Sequence, residues 1–466
     1  MISAPILLVA YGVWAYLFSN SDERLLLNPI FLSFAILLAM VEYFWRRDRH
    51  LPIVDVGVLC AVITLIYMAV PTIFYIKSGY HWSSLSDPRF LQMGTTPNDV
   101  AGVGWYVTAY LAAFCATYFL LRGDGMPGPD TKIEITSSLG KALLAIFAFA
   151  AIYKIGVESY FGINLNPSNR ELQANYGVAH LPLIWAQLTH NVLGIGRIAM
   201  LGIIAFVFAR KDFRFGLALA AWLILEGYVT LSNMGSRTNF VSLIFAAILA
   251  WHRLIRPIGP IFSIGGAVLF LGGVLGLGYF RDFGDDLHGV QDIWSAGTEF
   301  QIILANGLHV AWAHAHGLIT QVPWQITFND IILAIPQQLL PFQKLDMEHW
   351  YIRETGLDTH GLGLMFGVVA QSELGFGLPE IIVRGAVLGA VLALIHRQCV
   401  KHATNLTVFI LYLWLCTSIY YTYRASTFYI ATWAIYRVIP FVLLFQFLSW
   451  LLRPRTGADI VAGPET

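Results

Sequence analysis

Long apolar runs dominate the chain, covering residues 4–18, 25–45, 54–76, 102–121, 139–157, 183–209, 215–235, 239–252, 261–280, 379–396, 405–421 and 427–452, with short polar clusters between them. About 20 apolar residues in a row, coiled as a helix, cross a hydrocarbon core about 30 Å thick. The pattern predicts an all-α polytopic membrane protein of about 12 transmembrane helices, one integral membrane domain over residues 1–466. The N-terminus lacks a charged leader and a small-residue cleavage site, so its first apolar run reads as a retained helix.

Only 281–378 breaks the rhythm. It is rich in Asp, Glu and His, while the chain as a whole is 57% hydrophobic and 12% charged. Two stretches inside it, TEFQIILANGLHVAWAHAHG and NDIILAIPQQLLP, have helix-like apolar spacing, with Thr298 and Asn329 as plausible N-caps. They are placed either on the membrane surface or over the mouth of the bundle. The run Gly361–His396 is too long for one span, so GLGLMFGVVAQSELGFG is expected to be a re-entrant or half-helix element lining a cavity.

Charge sets the orientation. Alternate short loops (WRRDRH, LRGDG to LGK, ARKDFRF, WHRLIRP, HRQCVK and LLRPR) carry 15 of the 28 Lys and Arg residues. Positive residues are retained on the cytoplasmic side, so both termini are expected inside, with 77–101, 158–182 and 281–378 outside. Lys+Arg and Asp+Glu balance at 28 each, with no basic stripe, which gives no support for a nucleic-acid partner. The four cysteines have no disulfide or zinc spacing. Walker, HExxH, GxSxG and CxxC motifs do not occur.

The arginines left on the disfavoured side are the best candidates for chemistry. Arg237, Arg281, Arg353 and Arg424 all fall at outer span ends or in the outer loop, and guanidinium groups grip diphosphate through paired charge-assisted hydrogen bonds. The bland reading is that each snorkels to the interface or pairs with a neighbouring carboxylate. Glu373, in an apolar glycine-flanked element, is the expected general base, against the alternative of a structural carboxylate. Arg170, Glu299, His349 and His360 are weaker substrate-binding candidates. His314 and His316, two apart, point about 200° from each other on a helix, so no shared metal ion is expected. Glu226 is expected to pair within the membrane with Arg197, Arg384 or Arg437.

GSRTNF, YFRDF and GLMFGVVAQSELGFGLPEIIVRGAVLG resemble the Wzy-type O-antigen polymerases, over roughly residues 150 to 440. In that family a turn followed by Glu and a Phe-Gly pair precedes a span after the large periplasmic loop. Glu373, Phe376 and Gly377 match it here. The family's Arg, ten residues, Gly pattern is not matched, because Arg353 and Gly363 enclose nine residues and Arg170 has no glycine at the corresponding place.

The resemblance implies a metal-independent glycosyltransferase with a GT-C-like transmembrane fold in the bacterial inner membrane and no cofactor. It would move a growing glycan from undecaprenyl diphosphate to the next lipid-linked unit on the periplasmic face, with a chain-length regulator and a flippase as partners. The alternatives are an O-antigen ligase with the same donor, a lipid-linked oligosaccharide flippase or other transporter, and a non-catalytic scaffold.

Overall fold

A computed structural model describes residues 3–48, 52–80, 95–127, 130–163, 181–211, 237–259, 298–357 and 366–453, with a few isolated positions between 217 and 266. Regular structure among them is helical, apart from a single bridge between Glu134 and Asn405. In chain order the helices are α1 (Ser3–Phe18), α2 (Ser21–Asp48), α3 (Val56–Lys77), α4 (Pro97–Leu121), α5 (Ser137–Phe161), α6 (Leu183–Arg210) and α7 (Arg237–Leu254). There follow α8 (Thr298–Ala315), α9 (Trp324–Thr327), α10 (Asn329–Ala334), α11 (Met347–Thr355), α12 (Gly367–Leu374), α13 (Leu378–Lys401), α14 (Leu406–Ser418), α15 (Tyr421–Arg424), α16 (Tyr429–Trp433) and α17 (Ile439–Leu451).

This is a polytopic helical membrane protein. Among the described residues, seven helices are long and apolar enough to cross a membrane: α2, α3, α4, α5, α6, α13 and the continuous stretch from α16 to α17. The apolar runs in α1, α7 and α14 are shorter. The expected spans at 215–235 and 261–280, and residue Glu226, lie outside the described residues apart from isolated positions.

The helices fall into two compact units. The first comprises Met1–Gly125, Ile258–Gln398 and Ile419–Thr432; the second comprises Met126–Pro257, Cys399–Ser418 and Trp433–Thr466.

In the first unit α4 is the central helix. Its start is fixed by a capping box, in which Thr96 and Asp99 satisfy each other's backbone amides with Pro97 in the first turn. At its far end the buried Arg122 donates from Nε to Asp55 Oδ2 at 2.6 Å and from Nη2 to Asp48 Oδ2 at 2.7 Å, and the Phe44 ring covers its guanidinium. Asp55 also caps α3 by accepting from the amides of Gly57 and Val58, and it accepts a bond from the Tyr118 hydroxyl. One guanidinium thus ties the ends of α2, α3 and α4 together. Further along, Gly385 and Gly389 of α13 lie against the carbonyls of Tyr110 and Phe114, where a Cβ would collide. Small residues four apart let two membrane helices approach to backbone contact.

α8 packs into this unit rather than lying along a surface: Ala305, Leu308, Val310 and Ala313 are all buried. TEFQIILANGLHVAWAHAHG thus forms a helix packed among its neighbours in the first unit. Asn329 does not cap α10 with its side chain; its amide Nδ2 donates instead to the Leu345 carbonyl at 2.6 Å. That bond ties α10 to the segment leading into α11.

In the second unit α5 and α6 pack through small residues. Gly196 faces Ala150, Gly202 faces Leu143, and Gly140 faces Phe206. Arg437 sits in a π-helical turn, Ala434–Val438, between α16 and α17.

Candidate functional site

α12 is the element around which the candidate chemistry gathers. It is eight residues long, and Gly367, Val368, Val369, Ala370, Gln371, Ser372 and Leu374 are all buried, which leaves Glu373 as its half-buried member. Phe366, Ala370 and Leu374 form one apolar face against Val310 and Ala313 of α8 and Trp350 and Tyr351 of α11. Val369 packs on Gly307 of α8, placing Glu373, one turn later, on a different side of α12 from that cluster.

Tyr106 of α4 meets Glu373 there. Its hydroxyl donates to the carboxylate and accepts from the Leu378 amide. It also lies near Gly377, within 3.6 Å of where a Cβ would stand. Burial raises the Glu373 pKa above the ordinary carboxylate value, while the Tyr106 hydrogen bond and the charge of His314 pull it back part of the way. Tyr106 is nine residues into α4, about 14 Å along its axis. Glu373 is therefore held beside α4 at that distance from the start of the helix.

The turn after α12 is built by glycines. The amides of Gly375 and Gly377 both return to the Ser372 carbonyl, at 3.0 and 2.8 Å, and Gly377 takes a left-handed φ of 69°. Glu380 closes it by accepting the Phe376 amide at 2.8 Å. Gly375 presses so closely on the Glu380 carboxylate that a side chain there would displace it. The matched Phe376–Gly377 pair thus acts as backbone architecture behind Glu373.

Glu380 is itself held. Arg384 donates from Nε to Glu380 Oε1 at 2.6 Å, from Nη1 to Asp330 Oδ2 at 2.8 Å, and from Nη2 to the Thr327 carbonyl at 2.9 Å. Asp330 Oδ2 also accepts the Phe428 amide at 3.1 Å. Arg384, one of the three arginines offered as partners for Glu226, bonds Asp330 and Glu380; Glu226 lies outside the described residues. A buried guanidinium needs its charge and several donors satisfied, and this network does both.

The expected arginines are placed differently from one another. Arg424 is the half-buried last residue of α15. Gly367, with φ of 68°, rests against the Tyr423 and Arg424 carbonyls, so the start of α12 touches α15. Glu373 and Arg424 therefore belong to adjoining elements, with Glu373 about 9 Å along α12 from that contact. Arg353 is 70% exposed on α11 and bonded to Glu354 at 3.1 Å, which is the neighbouring-carboxylate arrangement. Arg237 opens α7 in the second unit and Glu299 lies in the first turn of α8; their side chains are outside the described set. Arg281, Arg170 and His360 lie outside the described residues.

His349 is exposed and pairs with Asp346, the N-cap of its own helix, at 3.0 Å. His309 bonds the Tyr351 hydroxyl at 2.6 Å, which makes it a packing histidine between α8 and α11. Among the described residues no group of three His, Cys, Asp or Glu side chains could hold a metal ion.

Two arrangements escaped the sequence reading. Tyr106 carries no signal, being one of many tyrosines in apolar runs. Glu380 and Arg384 stand four apart, a readable helical pair, whereas their link to Asp330 across 54 positions is not. In the second unit Arg437 lies across Gly194 of α6 and over the Trp433 ring at 4.5 Å. There Arg437 and Arg197 both act electrostatically on His190, making a cationic spot within apolar helices.

No protein-family model, curated protein or solved structure matches this chain.

Proposed function

We propose that this chain is a membrane glycosyltransferase that joins oligosaccharide units carried on undecaprenyl diphosphate, working at the outer face of a bacterial inner membrane with both termini in the cytoplasm. The observation that carries the reading is the setting of Glu373: a half-buried carboxylate with a raised pKa, held by Tyr106 on a short buried helix whose start touches the element bearing Arg424. A base with that environment sits nearer neutrality than a surface carboxylate.

In the proposed step the acceptor sugar hydroxyl attacks the anomeric carbon of the donor. The new glycosidic bond forms as the bond from that carbon to the diphosphate oxygen breaks, and undecaprenyl diphosphate leaves from the opposite side. The anomeric configuration inverts. Glu373 takes the hydroxyl proton, and Tyr106 keeps the carboxylate aimed. Arg424, with Arg281 and Arg353, would bind the departing diphosphate and stabilise its growing charge. Arg170, Glu299, His349 and His360 remain secondary candidates for holding sugar or phosphate.

The test is purified protein in proteoliposomes, supplied with a lipid-linked repeat unit. A ladder of elongated products that disappears in Glu373→Gln supports the reading, and an intact ladder in that variant rejects Glu373 as the base. Transfer only to a lipid A core acceptor would identify a ligase. The intramembrane cations Arg197 and Arg437, which both act on His190, favour a second reading, transport of an anionic lipid-linked glycan. Movement of labelled lipid across the bilayer with no new glycosidic bond would establish it.

A further inference from the structure

The stretch Pro323–Gln343 contains one charged residue, Asp330, and that side chain is fully buried against Arg384. Ile326 and Ala334, four residues before and after Asp330, are buried on the same side. The opposite side would ordinarily be a polar, solvated face. It carries Trp324 at 54% exposure, Phe328 at 45%, Ile331 at 50% and, in the following turn, Leu339 at 73%. The first three are spaced i, i+4, i+7 along the nearly continuous pair α9 and α10, where the Phe328 amide still bonds the Trp324 carbonyl. A surface of this kind is apolar on both sides.

Its depth is fixed by bonds to a span. Arg384 holds Thr327 and Asp330 six residues into α13, about 9 Å from that helix's start. On α13 the residues Ile381, Arg384, Leu388 and Leu392 face the protein, while Val383, Val387, Val391 and Leu394 form an exposed apolar stripe, the lipid-facing side of a candidate span. Arg384 thus bonds the α9–α10 pair to α13 at the level of its second turn, on a candidate span with an exposed apolar stripe.

We propose that the Trp324–Phe328–Ile331–Leu339 face is a membrane-insertion surface, buried in the acyl chains of one leaflet beside α13. It is a helix pair anchored to a candidate span by the Arg384–Asp330 bond, and lipid is its occupant. This inference stands independently of glycosyl transfer.

The test uses single-cysteine variants in a background where the four buried native cysteines are replaced by alanine. Trp324→Cys and Ile331→Cys carry a nitrobenzoxadiazole fluorophore in phosphatidylethanolamine–phosphatidylglycerol proteoliposomes, with Val387→Cys as the bilayer control and Glu354→Cys as the aqueous control. Labels at 324 and 331 are expected to be blue-shifted, quenched several-fold more by brominated phospholipid than at 354, and shielded from iodide as at 387. Iodide quenching equal to that at 354 overturns the proposal. So does self-quenching that rises with protein-to-lipid ratio without brominated-lipid quenching, which would assign the face to a second copy of the chain. Should the cysteine-free background fail to fold, hydroxyl-radical footprinting of the unaltered protein in nanodiscs decides the matter. Trp324 protected relative to the exposed His316 and His349 supports lipid cover, and Trp324 modified as fast as they are refutes it.

Discussion

Arg384 Nη1 stands 2.8 Å from Asp330 Oδ2, and both side chains are withdrawn from solvent. That single contact fastens α10, from the segment with the most polar sequence, to a helix long enough to span the membrane. The same guanidinium reaches Glu380, which closes the turn behind Glu373. Stability, the geometry of the candidate base and the position of α9 and α10 therefore share one residue.

Replacing Arg384 by Met leaves two carboxylates buried without their cation. Removing one partner of a buried pair costs about 3–5 kcal/mol. A large drop in the thermal unfolding midpoint of the detergent-solubilised protein is expected. Arg384→Met combined with Asp330→Asn and Glu380→Gln should recover part of that loss, because neutral side chains tolerate burial better. Additive losses in the triple variant would show that the network carries no coupling.

Glu373 makes the pH dependence directional. Burial raises its folded-state pKa above the ordinary value near 4.3, so the fold favours the protonated form. Its stabilising contribution is then complete below the unfolded pKa and is lost as pH rises through the higher folded pKa. Glu373→Gln should flatten that part of the stability profile. If Glu373 is the general base, elongation should rise with pH through the same higher pKa, and a rate independent of pH across that interval would exclude the role.

Tyr106→Phe removes the hydrogen bond that pulls the Glu373 pKa down. The acid limb of the elongation profile should move to higher pH, with about 1 kcal/mol lost from stability. An unmoved limb with an unchanged rate would assign Tyr106 to packing alone.

Gly377→Ala places a Cβ in the left-handed region at φ 69°, beside the Tyr106 hydroxyl. A loss of about 1–2 kcal/mol is expected from the backbone alone. Elongation should fall further than stability does, since the turn sets the approach of Leu378 to Tyr106. Equal falls in both would reduce Gly377 to a fold requirement.

Arg353→Ala should leave the unfolding midpoint within about 0.5 kcal/mol of the parent, because an exposed pair with Glu354 contributes little. A several-fold rise in KM for the lipid-linked donor, with stability unchanged, is the outcome expected of a diphosphate contact. An unchanged KM would leave Arg353 as a surface ion pair.

The apolar runs by themselves determined that the chain is helical and membrane-embedded, and they located α2, α3, α4, α5, α6 and α13 closely. A hydrocarbon core demands long apolar segments with internally satisfied backbones, and both demands are written locally in the sequence. Glu373 was legible for the same reason, as a lone carboxylate among apolar and glycine neighbours. Tertiary structure alone decided who meets whom: Tyr106 with Glu373, Arg384 with Asp330, Asn329 with Leu345, the start of α12 with α15. Each of those pairs depends on how helices far apart in sequence cross, and hydropathy, which records only the preference of each segment for its solvent, carries no term for the crossing.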